Sequence, residues 1–233
     1  MIVAANFKMH KTRKETKEYL KKLKSINFED IKVRVFPPFT ALFEDELIGA
    51  QNGYPAINGA YTGEIGLEQL KEFNINKILI GHSERRNILN ESQEFIAKKF
   101  EFFKKENFEI TYCIGEPLEI RKKGIKEVIK YLKTQLIGID LNYQKLIIAY
   151  EPVWAIGTGV SASIEEIKET HYEIRKLTNR PILYGGSVKL NNIEDILKIE
   201  NVDGVLVGSA SLDVKTFKQM IQIAKEIKND NAR

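Results

Sequence analysis

Short apolar runs recur along the chain, and this recurrence restricts the fold more than any other feature of the sequence. The runs are rich in Val and Ile, lack the alternation of a half-exposed strand, and are separated mostly by longer stretches. That pattern is typical of strands buried on both faces of a parallel sheet. The eight predicted strands are 2–5, 33–36, 47–50, 78–80, 110–113, 146–150, 182–184 and 205–207.

Helical periodicity fills most of the intervals between the predicted strands. Apolar residues three or four positions apart predict amphipathic helices there. The clearest apolar faces are Leu20, Leu23 and Ile26; Ile125, Val128, Ile129 and Leu132; Ile164, Ile167, His171 and Ile174; and Phe217, Met220, Ile221, Ala224 and Ile227. Ser163 and Glu166 predict a capping box at the start of one helix.

Eight strand–helix units in 233 residues predict an α/β protein with one closed (β/α)8 barrel, a single domain over 1–233, rather than an open doubly wound sheet. One interval is too short for this scheme. The second strand ends near Pro37 and the third starts near Leu47, whereas a parallel crossover with a helix needs a dozen or more residues. We therefore predict that the second outer helix is shortened or missing.

Composition excludes several classes of protein and partner. The net charge of +4 comes from Lys and Arg spread along the chain, unlike the clustered basic stripe of a nucleic-acid binder. Apolar stretches are too short for a membrane span, and the first residues lack the pattern of a signal peptide. A lone cysteine, Cys113, allows no intrachain disulfide and favours a reducing compartment. We expect a cytoplasmic protein without nucleic-acid or membrane partners.

No metal or cofactor is expected from the sequence. His10, His82 and His171 are not at ligand spacing, and Cys113 has no Cys-x-x-Cys partner. A Ser-His-Asp constellation and a nucleophile elbow are also missing from the sequence.

Reactive side chains follow several predicted strands, where barrels carry their active residues. Asn6 and Lys8 follow the first strand, His82 the fourth, and Glu151 the sixth. Taken singly, a Glu or a His at such a position is more often solvated or structural. Together, a Glu, a His and a Lys suit proton abstraction beside a carbonyl, because the Glu takes the proton, the His polarises the carbonyl and the Lys balances the charge on oxygen.

Glycine-rich loops follow the last two predicted strands, at 185–187 and 208–209. Glycine lets backbone N–H groups approach an anion closely, and a following helix N-terminus favours negative charge. One such loop alone is often only a tight turn. Two of them on adjacent strands predict a phosphate site, since barrels most often hold phosphate there.

Seven sequence blocks together resemble the triosephosphate isomerase family from end to end. They are Ala-Asn-Phe-Lys-Met at 5–9, Gln-Asn at 51–52 with Asn-Gly-Ala-Tyr-Thr-Gly-Glu at 58–64, Gly-His-Ser-Glu-Arg-Arg at 81–86, Cys-Ile-Gly-Glu at 113–116, Ala-Tyr-Glu-Pro-Val-Trp-Ala-Ile-Gly-Thr-Gly at 149–159, Tyr-Gly-Gly-Ser-Val at 184–188 and Gly-Val-Leu-Val-Gly-Ser-Ala-Ser-Leu at 204–212. The blocks around His82 and Glu151 are the most specific. The resemblance implies a TIM barrel that isomerises a triose phosphate in glycolysis and gluconeogenesis.

The resemblance also implies roles for five residues. Glu151 would be the general base and His82 a neutral electrophile. Lys8 would stabilise an enediolate, Asn6 would help to position the substrate oxygen, and Glu84 would organise the site from beside His82.

Substrate binding and assembly are implied in the same way. Backbone N–H groups of Gly157, Ser187, Gly208 and Ser209 would hold the phosphate. Residues 152–160 would form a mobile lid. The chain would form a homodimer, in which Thr62 and the loop 58–66 insert into the partner near Asn6 and Lys8.

The family resemblance further suggests that Ile156 and Leu206 pack against Glu151. An apolar contact disfavours the charged carboxylate and makes it a stronger base.

Two positions depart from the family pattern. Ser209 stands where the family usually has a second glycine, and Val160 stands where many relatives carry a basic residue. Two alternatives remain beside the isomerase: a different phosphate-binding barrel enzyme, and a catalytically silent relative that binds ligands or partners. The first does not explain Glu151 and His82 in their blocks, and the second needs a defect elsewhere, for which Ser209 is the candidate.

Overall fold

Seven parallel strands form one sheet in the order β2-β1-β7-β6-β5-β4-β3. The computed structural model describes residues 1–28, 30–156 and 161–230. The strands are β1 Ile2–Asn6, β2 Lys32–Phe36, β3 Lys77–Ile80, β4 Glu109–Ile114, β5 Leu146–Tyr150, β6 Ile182–Tyr184 and β7 Gly204–Val207.

The predicted third strand, 47–50, closes most of the gap between β2 and β3. It is bound by two isolated parallel bridges, Val35 to Ile48 and Ala50 to Ile78. The backbone N–H of Val35 donates to Leu47 O at 2.8 Å, and that of Ala50 donates to Lys77 O at 2.8 Å. The barrel prediction is confirmed. Of its eight strand segments, 47–50 is the one with the least backbone pairing.

Helices connect the strands along the outside. They are α1 Arg13–Leu23, α2 Leu67–Lys71, α3 Ser83–Asn87, α4 Gln93–Lys105, α5 Leu118–Arg121, α6 Ile125–Gln135, α7 Ile164–Arg175, α8 Ile193–Leu197 and α9 Val214–Asp230, with 3₁₀ helices at Phe39–Ala41, Val153–Ala155 and Ser209–Leu212. In the described part of the chain, no helix has the length and apolar character that crossing a membrane requires.

Local sequence explains where individual helices begin and end. The capping box of α7 is confirmed, because Glu166 N donates to Ser163 Oγ and Ser163 N donates to Glu166 Oε2. The prediction for α1 was wrong at its end. The helix stops at Leu23, so Ile26 lies beyond it, part-buried against the core.

The short interval after β2 contains only the 3₁₀ helix Phe39–Ala41, which confirms the shortened second helix. Pro37 and Pro38 begin the interval and cannot donate backbone hydrogen bonds to a helix. Ala41 and Leu42 are nevertheless buried, so this stub still covers part of the barrel.

Both faces of the strands are buried, as the missing alternation predicts. Side chains inside the barrel form one cluster: Ile2, Ala4, Phe36, Leu79, Cys113, Ile147, Ala149, Leu183 and Leu206. Neighbouring strand residues belong to the larger layer between the strands and the helices. The interior is therefore packed, and polar chemistry is confined to the barrel ends.

Candidate active site

A cavity of about 370 Å³ lies at the carboxyl ends of the strands. It brings together most of the predicted site residues. Those on its wall are Asn6, Lys8, His82, Glu151, Ser187, Gly208 and Ser209. Glu84 lies behind this wall and contacts Lys8, while Thr62 lies on an exposed loop elsewhere. Gly157 and Val160 fall outside the described residues.

Glu151 follows the last residue of β5 and is only 2% exposed. Its backbone N–H donates to Ile114 O at 2.7 Å, which fixes it to the end of β4. The carboxylate lies 3.2 Å from His82, measured from Oε1 to Nε2. Its other oxygen accepts the backbone N–H of Ser83 at 3.4 Å. The base predicted from the sequence is thus aimed at the predicted electrophile.

His82 precedes α3, and its ring caps that helix. Nδ1 accepts the backbone N–H of Glu84 at 3.3 Å. A protonated Nδ1 could not accept this bond, so the bond favours the neutral tautomer with its proton on Nε2. The Nε2–H then points to the Glu151 carboxylate.

The charges of this buried pair oppose the effect of burial. Burial raises the pKa of Glu151, but the charge and hydrogen bond of His82 and the Ser83 N–H bring the pKa below its usual value. Burial likewise lowers the pKa of His82, but the Glu151 carboxylate brings it above the ordinary value. We expected Ile156 and Leu206 to raise the pKa of Glu151. Burial acts in that direction, but the polar partners of the carboxylate outweigh it.

Lys8 lies in the left-handed region at φ 50°, where non-glycine residues are uncommon. Two hydrogen bonds hold this conformation. Lys8 N donates to Asn6 Oδ1 at 3.0 Å, and Gln51 Nε2 donates to Lys8 O at 2.7 Å. The ammonium lies 2.7 Å from Glu84 Oε1. Backbone strain at a site held by its neighbours is a common sign of a functional position.

The phosphate side of the cavity combines two loop segments. Gly208 immediately precedes the 3₁₀ helix Ser209–Leu212, and both Gly208 and Ser209 line the cavity. Ser209 does not have a positive φ. Serine therefore fits this position without backbone strain, although the family resemblance led us to expect glycine here. Across the mouth, Ser187 O accepts the side-chain amide of Asn192 at 2.9 Å.

The described part of the lid, residues 152–156, contains the 3₁₀ helix Val153–Ala155. Its Trp154 donates from Nε1 to Glu116 Oε1 at 3.1 Å. Glu116 is fully buried and also accepts from Arg121 Nε at 2.9 Å. The rest of the predicted lid falls outside the described residues.

Three residues near the mouth were missed in the sequence. His10 and Lys189 lie on the cavity wall, and Gln51 fixes the backbone of Lys8. Lys189 follows Ser187 by two positions in the same loop, which is the signal that identifies it. Among the described residues, no group of His, Cys, Asp and Glu side chains is arranged to hold a metal ion.

Comparison with known proteins gives one family. Residues 1–224 match the family described as "Triosephosphate isomerase". Several relatives carry that name. The protein of Sulfurovum sp. is 59% identical over 95% of this chain and 99% of its own length. The protein of Wolinella succinogenes is 56% identical over 95% of this chain and 99% of its own length. A relative from Helicobacter pylori is 49% identical over 94% of this chain and 97% of its own length.

Proposed function

The chain belongs to the triosephosphate isomerase family and is an aldose–ketose isomerase of glycolysis, and we propose that Glu151 is the base that moves the proton. The reaction interconverts dihydroxyacetone phosphate and D-glyceraldehyde 3-phosphate through an enediol(ate), and the reverse direction serves gluconeogenesis. The observation that carries the assignment is the 3.2 Å contact between Glu151 and His82 at a mouth shared with Lys8.

Glu151 would remove a proton from C1 of dihydroxyacetone phosphate and return it to C2. Its position beyond β5 is fixed by the backbone bond to Ile114, whereas its side chain contacts His82, the Ser83 N–H and the Cys113 thiol. The carboxylate can therefore exchange these partners for a substrate C–H without moving the strand.

His82 would act as a neutral donor to the substrate oxygen. The Glu151 charge is the main influence that raises the pKa of His82. When the carboxylate accepts the substrate proton, this charge is lost. Burial and the hydrogen bond from Glu84 N then both favour the neutral ring. A neutral imidazole with its proton on Nε2 can donate to the oxygen and return the proton.

Lys8 and its neighbours would balance the charge that builds on the enediolate oxygen. Once closure excludes water from the mouth, the ammonium would stabilise such a charge strongly, because the local dielectric would be low. Glu84 pairs with Lys8 and supplies the N–H that His82 accepts, so it would organise both groups. Asn6 is buried, accepts Lys8 N, and would help to position the substrate oxygen.

Backbone N–H groups of Gly157, Ser187, Gly208 and Ser209 would hold the phosphate. The 3₁₀ helix that begins at Ser209 supports this assignment, because helix N-termini favour anions. Residues 152–160 would close over the bound substrate and exclude water. Phosphate elimination from the enediolate would then compete less well with proton return.

We propose that the chain is a single domain over 1–233 and forms a homodimer in the cytoplasm. Thr62 and the loop 58–66 would insert into the partner near Asn6 and Lys8. Large apolar side chains near these elements support an interface, since Met9 is 93% exposed and Ile88 70% exposed. The buried, unpaired Cys113 and the glycolytic reaction support a reducing cytoplasm.

A coupled assay of glyceraldehyde 3-phosphate conversion tests these roles. Glu151→Gln should lower kcat by about 100- to 10,000-fold or more, the scale of a lost acid–base group. Competitive inhibition by inorganic phosphate should be retained, because the phosphate contacts are elsewhere. Glu165→Gln, an exposed residue in the first turn of α7, serves as the matched control. If kcat of Glu151→Gln were close to that of wild type, Glu151 would not be the base. A folded wild type without activity would favour the alternative that the chain is a catalytically silent relative.

A further inference from the structure

The charged groups at the inner part of the mouth and directly behind its wall include two carboxylates and one ammonium. Glu151 and Lys8 line the cavity, and Glu84, behind the wall, already pairs with Lys8 at 2.7 Å. With His82 neutral, these groups together repel an anion. A triose phosphate carries between one and two negative charges on its phosphate near neutral pH. Backbone N–H groups alone would have to overcome this repulsion.

Lys189 provides a second ammonium at the same mouth. It lies on the cavity wall beside Ser187 and Val188 and is exposed to solvent. Within the described parts of the chain, no carboxylate lies within ion-pair distance of it, in contrast to Lys8. Its charge is thus available to a ligand.

The backbone of Lys189 is held on both sides. Its N–H donates to Asn192 Oδ1 at 2.7 Å, and its carbonyl accepts Ile193 N at 3.0 Å and Asn192 N at 3.2 Å. The same Asn192 side chain donates to Ser187 O at 2.9 Å. The Asn192 side chain therefore links Lys189 to Ser187, a residue proposed to hold the phosphate. These hydrogen bonds fix the backbone position of the lysine at the rim of the cavity.

We infer that Lys189 is a further substrate-binding residue, which attracts the phosphate dianion to the mouth and contributes to its capture. This inference rests on the proposed position of the phosphate between Ser187 and Ser209. A charge at the rim attracts substrate and bound intermediates alike. It should therefore act on kcat/KM and leave kcat almost unchanged.

Removing one such charge has a modest, salt-dependent effect. Interactions over about 10 Å in a solvated cleft change association several-fold, and they are screened when the Debye length falls to this distance. Lys189→Gln should lower kcat/KM about two- to fivefold at low ionic strength and much less near 0.2 M salt. Lys189→Glu should lower kcat/KM further. Lys189→Arg, which keeps the positive charge, should have the wild-type kcat/KM.

The experiment measures kcat and kcat/KM for these variants across ionic strength, with inhibition by inorganic phosphate in parallel. Lys32→Gln removes the same charge from the exposed first residue of β2, at the amino ends of the strands, and should leave the values unchanged. If Lys189→Gln equals wild type and Lys32→Gln at low salt, the inference is wrong. An effect on kcat alone, with the same salt dependence as wild type, would also overturn it.

Failure of the underlying assignment gives a different result. In that case inorganic phosphate would not compete with substrate in the wild type, or Glu151→Gln would remain active. A Lys189→Gln variant that behaves as wild type, with normal phosphate competition, overturns the role of Lys189 and leaves the main site assignment intact.

Discussion

At the scale of single residues, the charges around His82 decide the acid limit of activity. Glu151 must be charged to accept a proton, and His82 must be neutral to act as proposed. Glu151 has a lowered pKa and stays charged at neutral pH. His82 has a pKa raised above 6.5, so it is the group that titrates first as the pH falls.

Two variants test this order of titration. The competent form should be lost as the pH falls through the raised pKa of His82, so kcat/KM should fall on the acid side at a higher pH than an ordinary histidine would give. The charge of Glu84 contributes to the raised pKa, so Glu84→Gln should move the acid limb to lower pH. Profiles of kcat/KM from about pH 5 to 9 measure this, with Glu165→Gln as control. An unshifted limb in Glu84→Gln would contradict the assignment.

Sequence reasoning named the reactive residues but not their mutual contacts. Glu151, His82 and Lys8 were identified because they follow predicted strands within specific blocks. The ion pair between Lys8 and Glu84 could not be predicted, because it joins loops far apart in sequence. The same holds for Gln51, whose amide holds the Lys8 backbone.

At the scale of elements, the ends of β4 and β5 approach so closely that only glycine fits. A Cβ added to Gly115 would lie 1.7 Å from Glu151 O, a backbone atom that cannot give way without moving the strand end. At Gly185, an added Cβ would instead meet the Glu151 side chain, 2.8 Å from Cγ. One glycine thus positions the backbone of the base, and the other leaves room for its side chain.

These two glycines predict different consequences. Gly115→Ala should lower the free energy of unfolding by about 1–3 kcal/mol, the usual cost of overpacking, and lower kcat/KM by about 100-fold through displacement of Glu151. Gly185→Ala should lower activity with a smaller loss of stability. Urea unfolding and the coupled assay measure both effects. Wild-type stability and activity in Gly115→Ala would show that the strand ends have more freedom than this contact allows.

The order and type of elements were largely predictable from apolar runs and helical spacing. Segment 47–50 was predicted as a strand like the other seven, but only two isolated bridges join it to its neighbours. Its limited pairing depends on neighbouring strands, which local sequence does not reveal.

At the scale of the whole molecule, the proposed dimer links assembly to activity. The loop 58–66 is largely exposed, and Tyr61 within it is 45% exposed. The ring centroids of Tyr61 and Tyr54 lie 4.1 Å apart, so the loop is also packed internally. An exposed, internally packed loop beside apolar side chains is suited to insertion into a partner.

Thr62→Arg should therefore weaken the dimer and lower activity together, because a charged, bulky side chain would enter the interface. Analytical ultracentrifugation and the coupled assay, each over a range of protein concentrations, measure the two effects. Asn142→Arg introduces the same side chain at an exposed position before β5, at the amino ends of the strands and away from Asn6 and Lys8, and should do neither. Full activity in a proven Thr62→Arg monomer would contradict a site completed by the partner.

The most direct test of the central claim follows the proton itself. Wild type equilibrated with dihydroxyacetone phosphate in D2O should place solvent deuterium at the carbons between which Glu151 carries the proton, as seen by NMR. Glu151→Gln should slow this incorporation in parallel with turnover, by about 100- to 10,000-fold or more, while inorganic phosphate still binds. Deuterium incorporation by Glu151→Gln at the wild-type rate would show that another group carries the proton.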